Sequence, residues 1–218
     1  MSGLEDSPPA RRVYVVDDDE AFRGSLTMLL QSDGWSVEGF ASAAEFSARA
    51  GELEPGVLLL DLHLEDASGL DLLEHKPLDI DRFAVVMVTG AGEIQTAVRS
   101  IKAGAVDFIE KPFEAAPMLA RLAGIEKEFT QSLEAREARW DAVRRTEALS
   151  PRERDVLERL LSGAPNKLIA RDLGLSPRTV EMHRARMLQK LGVGTTAEAL
   201  EVGRMAGVDA VPPSAQST

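Results

Sequence analysis

The 218-residue sequence contains no cysteine, which excludes a disulfide framework, a thiolate metal site and a cysteine nucleophile. It also lacks any apolar run long enough to span a bilayer. Its longest apolar stretches, such as Val57 to Leu60 and Ala84 to Val88, are strand length. Met1 to Ala10 has no signal-like hydrophobic region, so a cytoplasmic protein is expected. What is present is the balance of an ordinary globular protein, 44% hydrophobic and 28% charged residues. At roughly 100 to 200 residues per domain, the length allows one large domain or two modest ones.

Charge separates the two ends of the chain. Residues 1–149 carry 15 basic and 28 acidic groups, a balance of −13, whereas residues 150–218 carry 10 basic and 8 acidic groups, a balance of +2. Between Ser176 and Leu191 four bases accompany one acid. An acidic unit joined to one able to approach a polyanion is the reading this asymmetry supports.

From Val13 to Phe113, short aliphatic runs alternate with amphipathic ones, the pattern of βα units around a parallel sheet. The runs Val13 to Val16, Trp35 to Phe40, Val57 to Leu60, Ala84 to Val88 and Val106 to Ile109 predict five strands. Phe22, Leu26, Leu29 and Leu30, and later Ile94, Ala97, Val98 and Ile101, recur at helical spacing. The fold predicted is a doubly wound (βα)5 domain. A charged helical stretch follows from Glu114 to about Glu147, with Leu122, Ile125, Phe129, Leu133, Trp140 and Val143 mostly three or four residues apart. It reads either as a linker helix packed on its own domain or as a two-chain coiled coil. Ser150-Pro151 then restarts the chain with a cap and an N1 proline. Four short helices are predicted, Pro151 to Ser162, Asn166 to Leu173, Pro177 to Lys190 and Thr196 to about Met205, giving an all-α second domain.

In a parallel α/β sheet, ligands bind outside the carboxyl ends of the strands. The first strand is followed by Asp17, Asp18, Asp19 and Glu20, the third by Asp61, the fourth by Thr89-Gly90 and the fifth by Glu110-Lys111-Pro112. Asp19 reads as a helix cap, and any one Asp could be no more than that. Several carboxylates on one edge repel unless a hard cation with oxygen ligands neutralises them, and Mg²⁺ suits few carboxylates plus waters. A hydroxyl and an ammonium opposite them imply a visiting anion.

Val15 to Glu20, Leu60-Asp61-Leu62, Val88-Thr89-Gly90 and Lys102 to Phe113 resemble the receiver domain of two-component response regulators, the last stretch the FixJ subfamily especially. The resemblance implies that Asp61 accepts a phosphoryl group from the phosphohistidine of a sensor histidine kinase. It further implies that Asp18, Asp61 and the backbone carbonyl of His63 bind Mg²⁺ directly, with Asp17 reaching it through water. Thr89 and Lys111 are expected on the phosphoryl oxygens, and Phe108 is expected to follow Thr89 as a switch, ordinary core packing being its alternative. Homodimerisation on phosphorylation is expected through the segment Glu93 to Ala103 and the strand Val106 to Ile109. Receivers of this type usually carry Pro and Met in the loop after the phosphorylated Asp, where this sequence has Glu65 and Ala67.

In the C-terminal part, Asn166 to Ala170, Leu173 to Ser176, and Thr179, Val180 and His183 describe a helix, a tight turn and a second helix. Leu149 to Leu157 together with Lys190 to Val193 resemble the LuxR/NarL-type helix-turn-helix domain. By chemistry Asn166, Lys167, Arg178, Thr179, Arg184 and Lys190 suit DNA phosphates. By resemblance Glu181, Met182 and Ala185 face the groove, where Glu181 can accept from a cytosine amino group and Met182 can touch a thymine methyl. Val180, Leu188 and Leu191 are expected in the core, Arg186 on a solvated face or on DNA, and His183 as a satisfied structural histidine.

The division expected is a receiver over 11–128, a helical linker over 129–148, a DNA-binding domain over 149–207 and a flexible tail over 208–218. The function expected is phosphorylation-controlled binding of double-stranded promoter DNA by a protein that is no enzyme and has no membrane partner. Two alternatives stand beside it. One keeps the architecture but dispenses with phosphorylation. The other is a Mg²⁺-dependent haloacid-dehalogenase-like phosphatase, whose Asp-x-Asp spacing Asp17-Asp18-Asp19 contains, although no acidic pair follows Lys111 at a further strand end.

Overall fold

The computed structural model describes residues 11–74, 81–90 and 94–212. Met1 to Ala10, Glu93 and the part of the expected tail beyond residue 212 lie outside the described residues. The chain divides into two compact units between Ser132 and Leu133.

The first unit holds five strands, β1 (Arg12–Val16), β2 (Ser36–Phe40), β3 (Gly56–Asp61), β4 (Phe83–Thr89) and β5 (Asp107–Glu110). They form one sheet in the order β2-β1-β3-β4-β5, every pair parallel. The helices between them are α1 (Glu20–Ser32), α2 (Ala43–Arg49), α3 (Gly69–Glu74) and α4 (Ile94–Lys102), and α5 (Ala115–Glu147) follows. Side chains alternate along each strand. Tyr14, Val16, Leu58, Leu60, Val85 and Met87 therefore bury on one face with Phe40, Phe46 and Phe83. Val13, Val15, Val57, Leu59, Val86 and Val88 bury on the other with Leu26, Leu30, Trp35, Met118 and Leu122. Each fully buried Leu or Val is worth roughly 1.5 to 3 kcal/mol of transfer free energy. A central strand with both faces covered explains the unbroken apolar run of β3.

The five strands stand where the apolar runs predict them, with shifts of a residue or two. Trp35 falls outside β2 because its amide is taken by the Leu30 carbonyl at 3.1 Å in the turn that ends α1. Asp61 and Thr89 are the last residues of β3 and β4 rather than the residues after them.

In the second unit, α6 (Pro151–Leu161), α7 (Asn166–Leu173), α8 (Pro177–Leu191) and α9 (Thr196–Met205) enclose Val156, Leu157, Ile169, Val180, Met187, Leu191 and Ala199. Ser150 and Glu153 form a capping box at α6, as do Thr195 and Glu198 at α9. Ser176 caps α8, with Pro177 at its first position. Gly174, at φ 64°, makes the tight turn between α7 and α8. Helix α5 is shared between the units. Leu122 is buried and Ile125 and Phe129 pack against the sheet, whereas Ala142 is buried in the helical core. Much of the apolar stripe is thus used within the chain, although Trp140 stays 67% exposed. No described helix is long and apolar enough to cross a membrane.

Candidate functional site

The strand order places the carboxyl ends of β1 and β3 side by side at the point where the order reverses, the position at which such sheets bind ligands. Asp17 and Asp18 leave β1 there and Asp61 ends β3, with Val16 paired to Leu60 and Asp61 to Val88. Carboxylate oxygens of Asp17, Asp18 and Asp61 lie within 4.8 Å of one another. Lys111, arriving from β5, places its Nζ 2.8 Å from Asp17 Oδ2 and 2.7 Å from Asp61 Oδ2. Asp17 is 2% exposed.

Backbone amides hold the acids in place. Asp19 N–H donates to Asp17 Oδ1 at 3.0 Å, His63 N–H to Asp61 Oδ1 at 3.2 Å and Glu65 N–H to Asp18 Oδ2 at 3.0 Å. Asp19 itself caps α1, accepting from Ala21 and Phe22 amides, as the sequence suggests. Thr89 is buried, its hydroxyl donating to the Gly90 carbonyl at 3.3 Å.

Burial pushes the Asp17 carboxyl above the ordinary aspartate value, although the hydrogen bond and charge of Lys111 pull against it. Burial pulls Lys111 down, but its hydrogen bonds to Asp17 and Asp61 more than offset this, and its ammonium titrates above the usual lysine value. Lys111 pairs with two of the three carboxylates and stays charged, so the three acids and this ammonium carry a formal excess of two negative charges. An all-oxygen donor set with that excess fits a hard divalent cation.

Three neighbours escape the sequence reading. Phe22, which the periodicity assigns to the helix core, has its ring 3.9 Å from Lys111 Nζ and meets Phe113 edge-on. Arg23 donates to the Asp17 carbonyl at 2.6 Å. Gly69 lies so close to β3 that a Cβ there would come within 2.1 Å of the Asp61 carbonyl oxygen. Phe108 is 36% exposed near the Arg121 guanidinium, so core packing does not describe it. Val98 and Ile101 on α4 and Val106 just before β5 are exposed apolar residues as well.

In the helical unit, Arg178, Glu181, Met182 and Ala185 stand exposed on α8, and Arg186 and Gln189 continue that face at helical spacing. Lys167 is exposed in the first turn of α7. Thr179 shares its hydroxyl with Ser176 Oγ at 2.8 Å. Arg184 spends two donors inside the unit, on Asn166 Oδ1 and Thr196 Oγ1, both at 2.6 Å. Lys190 is 2.7 Å from Glu153 Oε2. Val180 and Leu191 are buried and Leu188 is half-buried, while His183 differs from expectation, its enclosed Nδ1 lacking a hydrogen-bond partner among the described residues.

A parallel sheet with this acid-and-lysine edge, followed by a helix-turn-helix unit, defines a class, and sequence comparison agrees. The family described as response regulator receiver domain matches residues 13–123, and that described as bacterial regulatory proteins, luxR family, matches residues 147–202. The chain belongs to the response regulators that join a receiver to a LuxR-type DNA-binding domain, and is a phosphorylation-dependent transcription regulator rather than a classical enzyme. Among named relatives, it is 39% identical to the transcriptional regulatory protein FixJ of Azorhizobium caulinodans, over 94% of this chain and 99% of that one. It is 41% identical to FixJ of Rhizobium meliloti, over 82% and 88% respectively. Full-length FixJ from B. japonicum aligns with a TM-score of 0.57 at 36% identity, covering 90% of this chain and 97% of that one. The response regulator StyR aligns with a TM-score of 0.78 at 34% identity, covering 89% and 98%. The phosphatase alternative and the phosphorylation-independent alternative are not favoured by this membership.

Proposed function

We propose that Asp61 is the phosphoacceptor, that a sensor histidine kinase is the donor, and that the product controls binding to promoter DNA in the cytoplasm through residues 149–207. The observation that carries the reading is the Lys111 ammonium 2.7 Å from Asp61 Oδ2, with Asp17 and Asp18 gathered on the same edge. An Asp61 carboxylate oxygen attacks the phosphorus of phosphohistidine, the P–N bond breaks, and imidazole leaves. Lys111 turns its ammonium toward the phosphoryl oxygens, and the Thr89 hydroxyl supplies a second donor, positioning and charge stabilisation being most of what such a transfer requires. Asp18, Asp61 and the His63 carbonyl would hold Mg²⁺, with Asp17 acting through water, and the ion would offset charge on the transferring group. Residues 11–128 carry this chemistry, 129–148 link it to the helical unit and 208–218 form a tail.

Thr89 and Phe108 are the switch, and the exposed residues Val98, Ile101, Val106 and Phe108 form the surface on which two copies meet. On α8, Glu181, Met182 and Ala185 read bases. Lys167, Arg178 and Thr179 approach phosphates, with Asn166, Arg184 and Lys190 bordering them.

Incubation with a phosphorylated kinase or small phosphodonor, followed by label mapping and light scattering, tests the assignment. Wild type is expected to form base-labile aspartyl phosphate and to double in mass, and Asp61→Asn to do neither. Label retained on Asp61→Asn would move the acceptor elsewhere.

A further inference from the structure

The loop from Leu62 to Ser68 is closed on itself by the Leu64 N–H to Ala67 carbonyl bond at 3.2 Å and an antiparallel bridge between His63 and Ser68. Its tip reaches in two directions. Glu65 donates its amide to Asp18 Oδ2 at 3.0 Å. Asp66 accepts from the amides of Ala43 at 3.3 Å and Ala44 at 3.0 Å, the first two residues of α2. Ser42, the cap of that helix, takes the Glu45 amide instead. The opening amides of α2 are therefore divided between a local serine and a carboxylate more than 20 residues away in sequence. A carboxylate on helix-terminal amides makes charge-assisted bonds and meets the positive end of the helix dipole.

We propose that Asp66 is a positioning residue for the acidic site, anchoring the loop on α2 so that the Glu65 amide holds the carboxylate of Asp18 in one orientation before a cation binds. The inference rests on the reading of Asp18 as a metal ligand. Glu65 acts through its backbone, so any residue but proline serves, and this loop is one in which similar receivers usually carry proline. Ligating carboxylates depend on such outer hydrogen bonds, whose loss costs 10- to 100-fold in metal affinity.

Calorimetric titration of the full-length, unphosphorylated protein with Mg²⁺ tests this with variants compared in pairs of equal charge. Glu65→Ala and Glu65→Pro both lose the carboxylate, but only the second loses the N–H, and it is expected to bind Mg²⁺ about tenfold more weakly than the first. Asp66→Asn retains an acceptor for α2 and Asp66→Ala does not, so the alanine variant is expected to bind several-fold more weakly. The Mg²⁺ concentration that half-saturates phosphorylation should shift in step, more than the maximal rate does. Melting curves without metal report folding, and if Glu65→Pro fails to fold, the Asp66 pair decides. Equal or tighter Mg²⁺ binding by the second member of a folded pair overturns the positioning role. A wild type that does not bind Mg²⁺, or an Asp18→Asn variant that binds it as wild type does, overturns the reading of the metal site instead.

Discussion

At the scale of single residues, the site depends on how closely backbone can approach backbone. Gly69 opens α3 directly beside the Asp61 carbonyl, and a methyl group there would lie 2.1 Å from that oxygen and 3.1 Å from Leu60 Cγ. The neighbours are backbone and a buried side chain, so one of them must shift. Gly69→Ala is expected to destabilise the first unit by about 1 to 3 kcal/mol, as overpacked sites do. It should also slow phosphorylation, because the displaced strand end carries Asp61. Urea unfolding and the rate of label incorporation check the two effects, and a variant with normal stability and normal labelling would show that the approach is not required. The acids, Thr89 and Lys111 are legible in the sequence because each follows or ends an apolar run, and strand ends converge in a parallel sheet. Gly69, Asp66 and Phe22 are not. Asp66 and Phe22 meet partners far off in the chain, as Glu65 meets Asp18 across 47 residues, and Gly69 meets Asp61 only because the loop between them folds back; spacing along a sequence carries no record of such meetings.

Secondary-structure elements of the helical unit are joined through Glu153. Its carboxylate accepts from the Ser150 amide at 2.8 Å, closing the capping box of α6, and from Lys190 Nζ at 2.7 Å, tying α6 to the last turn of α8. Burial alone would raise the Glu153 carboxyl. The bonds from Lys190 and Ser150 prevail and hold it below the ordinary glutamate range. A carboxyl depressed on folding adds stability that is fully present above its unfolded value and is lost as pH falls through that value to the folded one. Thermal melting of the helical unit should therefore show an acid-side loss of stability below the ordinary glutamate range that is flattened in Glu153→Gln. At neutral pH, Glu153→Ala should cost about 1 to 3 kcal/mol, because it removes both a cap and a bond to a charged donor. An unchanged acid-side profile in Glu153→Gln would remove the ion pair from the account. The elements themselves were readable, since Ser150-Pro151 and Ser176-Pro177 announce helix starts. Helices α2 and α3 are too short, at 7 and 6 residues, for periodicity to declare them.

Across the whole molecule, charge and cation placement decide how the two units share DNA binding. The −13 of residues 1–149 opposes approach to a polyanion, while the +2 of residues 150–218 includes cations committed to other work, Arg184 to Asn166 and Thr196 and Lys190 to Glu153. Lys167 on α7 and Arg178 on α8 are exposed cations. Replacing either with Ala is expected to weaken binding to all sequences alike and to lower the salt slope by about 0.9 for each phosphate no longer neutralised, with little change in melting. Lys190→Ala should instead lower the melting temperature, because it removes the partner of a buried carboxylate. Glu181→Ala or Met182→Ala should change which base pairs are preferred, at about 1 to 3 kcal/mol for a well-matched base. The same electrostatics predict that the helical unit alone binds non-specific DNA more tightly than the unphosphorylated whole chain, and that the gap narrows with salt as screening shortens the reach of the acidic unit. Phosphorylation is then expected to recover affinity by pairing two recognition helices on two half-sites, which would multiply weak binding through effective concentration rather than by new interactions. Footprinting and salt titration of the whole and truncated proteins measure both terms. Equal affinities at low salt, with no half-site symmetry in the footprint of the phosphorylated protein, would show that control over DNA does not run through charge and pairing.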